Sequence, residues 1–379
     1  SNRQPTPLPR RIPLPHHIDN QSFVNYLREH ISNQGIEIID AEVDSVNLNS
    51  NQFVDHLKTT DNQTLKYDFY IDCSGFRSKI LGETLQTEFI PYDTTLITDK
   101  ALTFNLPNNN SIDPYTSALT MNNGWCWKIP MRTEDHYGYV FSSQFCSEEE
   151  ALKEVTQKFG SIEKHKIINF KSGRHSKAWN KNVFALGNSY AFIEPLESTA
   201  IQTIISSAML LCRLMPQSLN DSSTINGLNK EISATWDTFR GFLGVHYKFN
   251  KKLDTDFWKW CRENVDIGDA QEVINLFKER APLSKGHYGT STGYTAHEAL
   301  VFNSYSYDSI LFGQNEVSKD LKAPEMSKEE YLDKCDSYSK LTQLALTQHE
   351  LFSDEELLYN EVLPLLFNDP ESWIVDTQV

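Results

Sequence analysis

The stretch Asn182-Val-Phe-Ala-Leu-Gly-Asn-Ser-Tyr-Ala-Phe-Ile-Glu-Pro-Leu-Glu-Ser-Thr-Ala-Ile201 decides the reading of this chain. Val183–Leu186 is a short apolar run that reads as a buried strand, and Gly187-Asn188 reads as a tight turn. Glu194-Pro-Leu-Glu-Ser-Thr199 forms a polar-edged loop, and apolar residues from Ala200 to Leu214 predict a long helix. Strand, small-residue turn and helix start together present backbone N–H groups to an anionic ligand. Glu197 stands just ahead of that helix, where a carboxylate is stabilised and can be aimed into a cleft. The local spacing equally allows Glu197 and Ser198 to do no more than cap the helix.

Size and composition narrow the class. A chain of 379 residues holds one large core or two coupled domains. With 39% hydrophobic and 12% aromatic residues it is globular rather than disordered. A formal charge of −16 argues against nucleic acid or an anionic membrane as partner, because phosphates would be repelled. There is no long apolar run and no signal peptide, so a soluble, cytoplasmic protein is expected. Cys73, Cys126, Cys146, Cys212, Cys261 and Cys335 form no Cys-x-x-Cys pair, which favours reduced structural thiols over disulfides or zinc. His16 and His17 lack a neighbouring carboxylate or thiol to complete a ligand set, and no metal is expected.

Upstream, residues 1–15 are Pro-rich and basic and read as an extended lead-in. Phe23, Tyr26, Leu27 and Ile31 share one face of a helix that Gly35 ends. Strands are expected at Ile36–Ile39, Ala41–Leu48, Phe53–Thr59 and Tyr67–Asp72, the last closing at the turn Asp72-Cys-Ser-Gly75. Ala101–Phe104, Ser117–Met121, Trp125–Ile129 and Tyr137–Phe145 alternate polar and apolar residues and predict an antiparallel sheet that roofs a cleft. Pro130 cannot donate to a ladder, so its strand ends there or lies at an edge. Glu148–Phe159 predicts an amphipathic helix. Beyond Ile201 helices are expected at 200–214, 226–263, 270–279 and 327–367, with a stripe of Trp236, Phe239, Phe242, Leu243 and Tyr247 on the second. Residues 280–325 read as an irregular loop or lid.

Gly124-Trp-Cys-Trp-Lys-Ile-Pro130 is the second dense motif. Trp125 and Trp127, at i and i+2, lie on one face of a strand, where they can pack a core or shield a reactive group. This motif resembles the GWxWxIP signature of flavin-dependent tryptophan halogenases. Further resemblances stand around it in order. Ile71-Asp-Cys-Ser-Gly-Phe-Arg77 resembles the family's IDCSGxR turn. The 182–201 stretch is similar to its element ending (D/E)-P-L-E-S-T-G-I. Phe242-Leu-Gly-Val-His-Tyr247 and Asp254-Thr-Asp-Phe-Trp258 resemble its helical segment, and Tyr307-Asp-Ser-Ile-Leu-Phe-Gly313 its later YxxILxG element.

The resemblance implies an α/β (α+β) chain with the FAD-dependent monooxygenase/halogenase fold, of glutathione reductase-2 type. It would carry an antiparallel substrate sheet and a C-terminal helical region. Residues 16–201 would be the remaining part of the flavin-binding module, and 202–379 a mainly helical substrate-side region. It implies an enzyme that takes FADH2 from a separate flavin reductase and uses O2 and halide to form hypohalous acid, which travels to a small aromatic, indole-type substrate. Homo-oligomers are compatible with it. By position, Glu197 matches the catalytic Glu, and Thr199 and Ala200 match the residues whose amides hold the halide. Asp72, Gly75, Asn188, Ile201 and Val43 would lie near FAD, and Trp125 and Trp127 would shield the flavin. The alternatives are a flavin-dependent aromatic monooxygenase and a cofactor-free binding protein derived from a halogenase.

Departures from the family pattern qualify this. Ala200 replaces Gly, which strains the loop if a positive φ is required and costs little if the residue is helical. Tyr190 is expected to narrow the flavin pocket. No G-x-G-x-x-G, the family's cradle for the FAD pyrophosphate, occurs in the sequence. The family's catalytic Lys also belongs to that earlier region, and Lys79 is in the wrong context to replace it. A truncated chain, or a first unit supplied by another chain, is therefore expected, without tight FAD binding by these residues alone. His287, Tyr288, Tyr294 and His297 are the ring contacts expected from the divergent segment before Tyr307.

Overall fold

The structure is a computed structural model, and it describes residues 17–108, 115–215, 219, 221–283 and 302–319, with scattered positions between 327 and 336. The lead-in, the 327–367 helix, His287, Tyr288, Tyr294, His297 and Cys335 lie outside the described residues, apart from those scattered positions.

Strand-forming residues with two buried faces need cover on both sides, and the centre of the molecule follows that rule. Helix α1 (Asn20–Asn33) precedes a small antiparallel meander of β1 (Val43–Leu48), β2 (Val54–Thr59) and β3 (Thr64–Leu65). Strand β4 (Tyr70–Asp72) then runs into the interior, and β5 (Phe89–Pro91) follows.

The antiparallel sheet has the four expected strands and a fifth, β10: β6 (Lys100–Pro107), β7 (Ser117–Met121), β8 (Gly124–Pro130), β9 (Glu134–Phe141) and β10 (His165–Asn169), in the order β10-β6-β9-β8-β7. The pleat sends Leu102, Phe104, Cys126, Tyr139 and Phe141 to one face, where helix α2 (Glu148–Phe159) covers them with Ala151 and Val155. Ala101, Trp125 and Val140 face the other way, into the main core. Ser147 opens α2 with the reciprocal capping pair Ser147–Glu150. Pro130 ends β8, a strand that lies between β7 and β9 and not at an edge.

Short strands return the chain to the centre. β11 (Gly173–His175) sits between β5 and β14 (Ala191–Phe192), and β13 (Val183–Ala185) lies between β12 (Trp179–Asn180) and β4, parallel to β4. Helices α3 (Ala200–Leu214), α4 (Ser222–Lys248), α5 (Asp256–Asn264), α6 (Ala270–Arg280) and α7 (Ser304–Gly313) follow. The five stripe residues of α4 are all buried in the main core.

Three expectations are corrected. Residues 36–42 form no strand: Ile36 and Ile38 are exposed, and no strand among the described residues supplies a ladder for them. The 226–263 helix is two helices. The Asn250 side chain accepts the Lys252 N–H at 2.9 Å and turns the chain, while Thr255 caps α5 and Arg262 binds the carbonyls of Asn250 and Leu253. The 280–325 segment contains α7, which Asn303 caps by accepting the Tyr305 and Ser306 N–H groups, with Tyr307 and Leu311 buried beneath it.

The two indoles explain one glycine. A Cβ on Gly138, across the ladder from Trp127, would lie 1.9 Å from that indole ring. Gly138→Ala is expected to cost about 1–3 kcal/mol through overpacking. A lower denaturant midpoint with an unchanged slope, together with altered tryptophan emission, would report it.

Candidate active site

The 182–201 stretch ends β13 at Ala185 and makes two single turns of 3-10 helix, Gly187–Ser189 and Pro195–Glu197, with β14 between them. Pro195 fixes the start of the second turn, and Ser198 then takes the left-handed conformation (φ 54°, ψ 33°) before α3 begins. A non-glycine residue held there is a local strain of the kind found at functional loops.

Glu197 does not cap α3. Its Oε1 lies 2.7 Å from His246 Nε2 on α4, and its Oε2 has no protein partner among the described residues. His246 Nδ1 lies 3.1 Å from the Phe242 carbonyl. Both ring nitrogens of His246 are thereby engaged, one at the Phe242 carbonyl and the other at the Glu197 carboxyl group. The pair places a carboxyl group and an imidazole, two groups able to exchange a proton, side by side. Leu196 and His246 line a cavity of about 450 Å³, whose other walls include Ala118, Trp125, Tyr247 and Trp258. Glu197 stands beside this cavity and is not one of its lining residues.

Thr199 is buried and Ala200 exposed at the start of α3, and no side chain caps that end. Neither backbone N–H donates to a protein group among the described residues. Ala200 is the first helical residue, while Ser198 takes the positive φ. Ala200→Gly is therefore expected to lower stability by no more than about 1 kcal/mol. A rise in melting temperature would instead reveal strain at Ala200.

Of the residues expected near FAD, Asn188 lines a second cavity and Gly75 packs against its turn, while Asp72, Ile201 and Val43 line neither cavity. Gly75 (φ +70°) has open space where a Cβ would stand, and its N–H donates to Ser189 Oγ at 2.9 Å, which brings the Asp72–Gly75 turn against the Asn188 turn. The side chain of Ile204, on the α3 turn that also carries Ile201, reaches Gly187. Asn188, Phe76, Phe170, Tyr190 and Phe192 line this second cavity, of about 760 Å³. Its aromatic walls fit a flat ring system, whereas nothing in the sequence offers a Gly-rich turn for a pyrophosphate. Tyr190 is on this boundary and largely buried. Asp72 contributes indirectly. Its buried carboxylate accepts from Ser74 N and Oγ and from Ile80 and Leu81 N–H at 2.6–3.0 Å, so it holds the turn. Val43 is placed by its carbonyl, which accepts from Lys79 Nζ at 2.6 Å. Lys79 is thereby a structural ammonium.

Trp125 and Trp127 pack with ring centroids 5.9 Å apart, and Trp125 is a wall of the smaller cavity. Its indole Nε1–H donates to Glu194, a residue with no exposed surface, at 2.5 Å. Tyr247 OH and Thr98 Oγ1 donate to the same carboxyl group. Burial pushes the Glu194 pKa above its ordinary value, against the pull of the hydrogen bonds from Tyr247, Trp125 and Thr98. Sequence reasoning assigned no role to Glu194 or His246. The available signals were an acid inside the apolar run Ala191-Phe-Ile-Glu-Pro-Leu196 and a His one turn beyond Phe242.

His17 bonds the Pro130 carbonyl and Thr116, a structural placement. Among the described residues no cluster of His, Cys, Asp or Glu is arranged to hold a metal, and no helix is long and apolar enough to cross a membrane.

The tryptophan halogenase family profile matches residues 1–328. The crystal structure of MibH, a lanthipeptide tryptophan 5-halogenase, superposes with a TM-score of 0.82 at 37% identity, covering 93% of this chain and 68% of that one. BrvH, a flavin-dependent halogenase from Brevundimonas sp. BAL3, gives 0.78 at 29% identity over 90% and 68%. Tryptophan 7-halogenase RebH of Lentzea aerocolonigenes is 31% identical over 270 residues, 69% of this chain and 51% of that protein. The chain spans about half the length of the curated relatives it matches, 46% and 51% for two of them.

Proposed function

Because the chain belongs to the tryptophan halogenase family, we propose that it serves flavin-dependent halogenation of a small aromatic, indole-type substrate. The observation that carries this reading is the Glu197–His246 couple beside an aromatic-walled cavity, at the start of a helix whose first amides have no protein partner among the described residues. Reduced FAD, delivered by a separate reductase, would activate O2, and O2 would be the oxidant that turns halide into a halogenating agent. Phe76, Asn188 and Phe192 would hold the flavin ring, with Gly75 and Ile201 beside it and Val43 towards the adenine end.

The residues of this chain do the rest. The amides of Thr199 and Ala200 would bind the halide at the positive end of α3. Trp125 and Trp127 would keep the ring substrate away from the flavin and exclude water. Glu197 would orient the halogenating agent through its free oxygen and accept the proton that the ring loses, with His246 holding the other oxygen in place.

The test is to express the complete reading frame, supply FAD, a reductase and chloride or bromide, and follow an indole by mass spectrometry. A halogen-sized mass gain is the expected result. A gain of one oxygen would make the protein a monooxygenase, and no flavin retention with no product would make it a binding protein.

A further inference from the structure

Glu194 is a buried acid that the proposed chemistry leaves unused. It has no exposed surface, and its hydrogen-bond partners are all neutral: Trp125 Nε1 and Tyr247 OH on Oε2, and Thr98 Oγ1 on Oε1. Those partners come from β8, from α4 and from the segment before β6. Trp125 and Tyr247 are also two walls of the 450 Å³ cavity, while Thr98 is not. Leu196, two residues on from Glu194, is a third wall, and Glu197 follows it.

We propose that Glu194 is a positioning and specificity-determining residue, whose carboxyl group clamps Trp125 and Tyr247 and so sets the shape of the cavity that receives the aromatic ring. The proposal rests on the reading that this cavity takes the substrate. Trp125 and Tyr247 belong to the main core and line the cavity as well, so the acid that holds them also holds two of the cavity's walls. The geometry does not need the charge. A Gln at 194 can accept both donors on its carbonyl oxygen and donate its amide to Thr98 Oγ1, since a hydroxyl accepts as well as donates. A Leu keeps the volume but strands a buried indole N–H and a buried phenol.

The experiment compares Glu194→Gln, Glu194→Leu, Tyr247→Phe and Thr98→Val in the complete reading frame. Two readouts are taken: indole affinity by equilibrium dialysis, and the Trp125 Nε1–H resonance, identified by its loss in Trp125→Phe. Glu194→Gln is expected to keep the resonance position and to hold affinity within about threefold, while Glu194→Leu moves the resonance and weakens indole binding about tenfold or more. Tyr247→Phe should weaken binding by a few fold, and Thr98→Val should change stability alone; these two decide the matter if Glu194→Leu does not fold. Unchanged affinity in Glu194→Leu or Tyr247→Phe would overturn the proposal, as would Glu194→Gln behaving like Glu194→Leu, which would make charge the determinant. If the parent protein binds no indole, the substrate reading of the cavity fails and the specificity role with it. The Trp125 resonance in Glu194→Leu and Glu194→Gln still decides whether the clamp exists.

Discussion

Glu197→Gln is expected to lower the rate of halogenation by roughly 100- to 1,000-fold, the scale of a lost general base with its charge, while reduced flavin is reoxidised at the parent rate. The separation follows from placement. Glu197 bonds His246 and stands beside the smaller cavity, and it is not among the residues lining the larger one at Asn188. Gln keeps the size and can still bond His246, so the fold is retained and only the proton acceptor is removed. Product by mass spectrometry and flavin absorbance in the same reaction check both halves. Undiminished halogenation would remove Glu197 from the chemistry, and a parallel loss of flavin reoxidation would place it on the wrong side of the site.

Asp72→Ala is expected to be the most damaging single change to the fold described above, at about 3–5 kcal/mol. Each buried donor left without its acceptor costs roughly 1–3 kcal/mol, and Asp72 serves two, the N–H groups of Ile80 and Leu81, besides the N–H and hydroxyl of the exposed Ser74. Water cannot replace the carboxylate, because Asp72 is 1% exposed and lies in the central parallel pair with β13. The loss would also free the Gly75 turn from its register against Ser189. Chemical denaturation should show a lower midpoint, and a midpoint within experimental scatter of the parent would mean that the turn is held by other groups.

Much of the architecture could be read from local pattern. The alternation through residues 98–145 and the amphipathic pattern of Glu148–Phe159 are short-range signals, and they gave β6 to β9 and α2 but not β10. The shared face of Trp125 and Trp127 followed from strand geometry alone. What escaped was set by contacts distant in sequence. Apolar periodicity continues through 249–255, so the break between α4 and α5 depends on the side chains of Asn250, Thr255 and Arg262. Ile36–Ile39 has strand composition without a strand to pair with. The Ser- and Tyr-rich 304–313 segment looked irregular until Tyr307 and Leu311 found a core. At the site, Glu197 and its helix start were visible, but His246 lies 49 residues away and the Glu194 partners up to 96 residues away. No spacing rule encodes such meetings.

The central claim is that the 182–201 stretch brings a halide, held by the first amides of α3, alongside Glu197. Bromide soaked into crystals of the complete protein and located by its anomalous scattering tests this without requiring turnover. The account predicts a peak within hydrogen-bonding distance of the Thr199 and Ala200 backbone nitrogens, next to the Glu197 carboxylate. Bromide bound elsewhere, with those amides bare at saturating concentration, would contradict it.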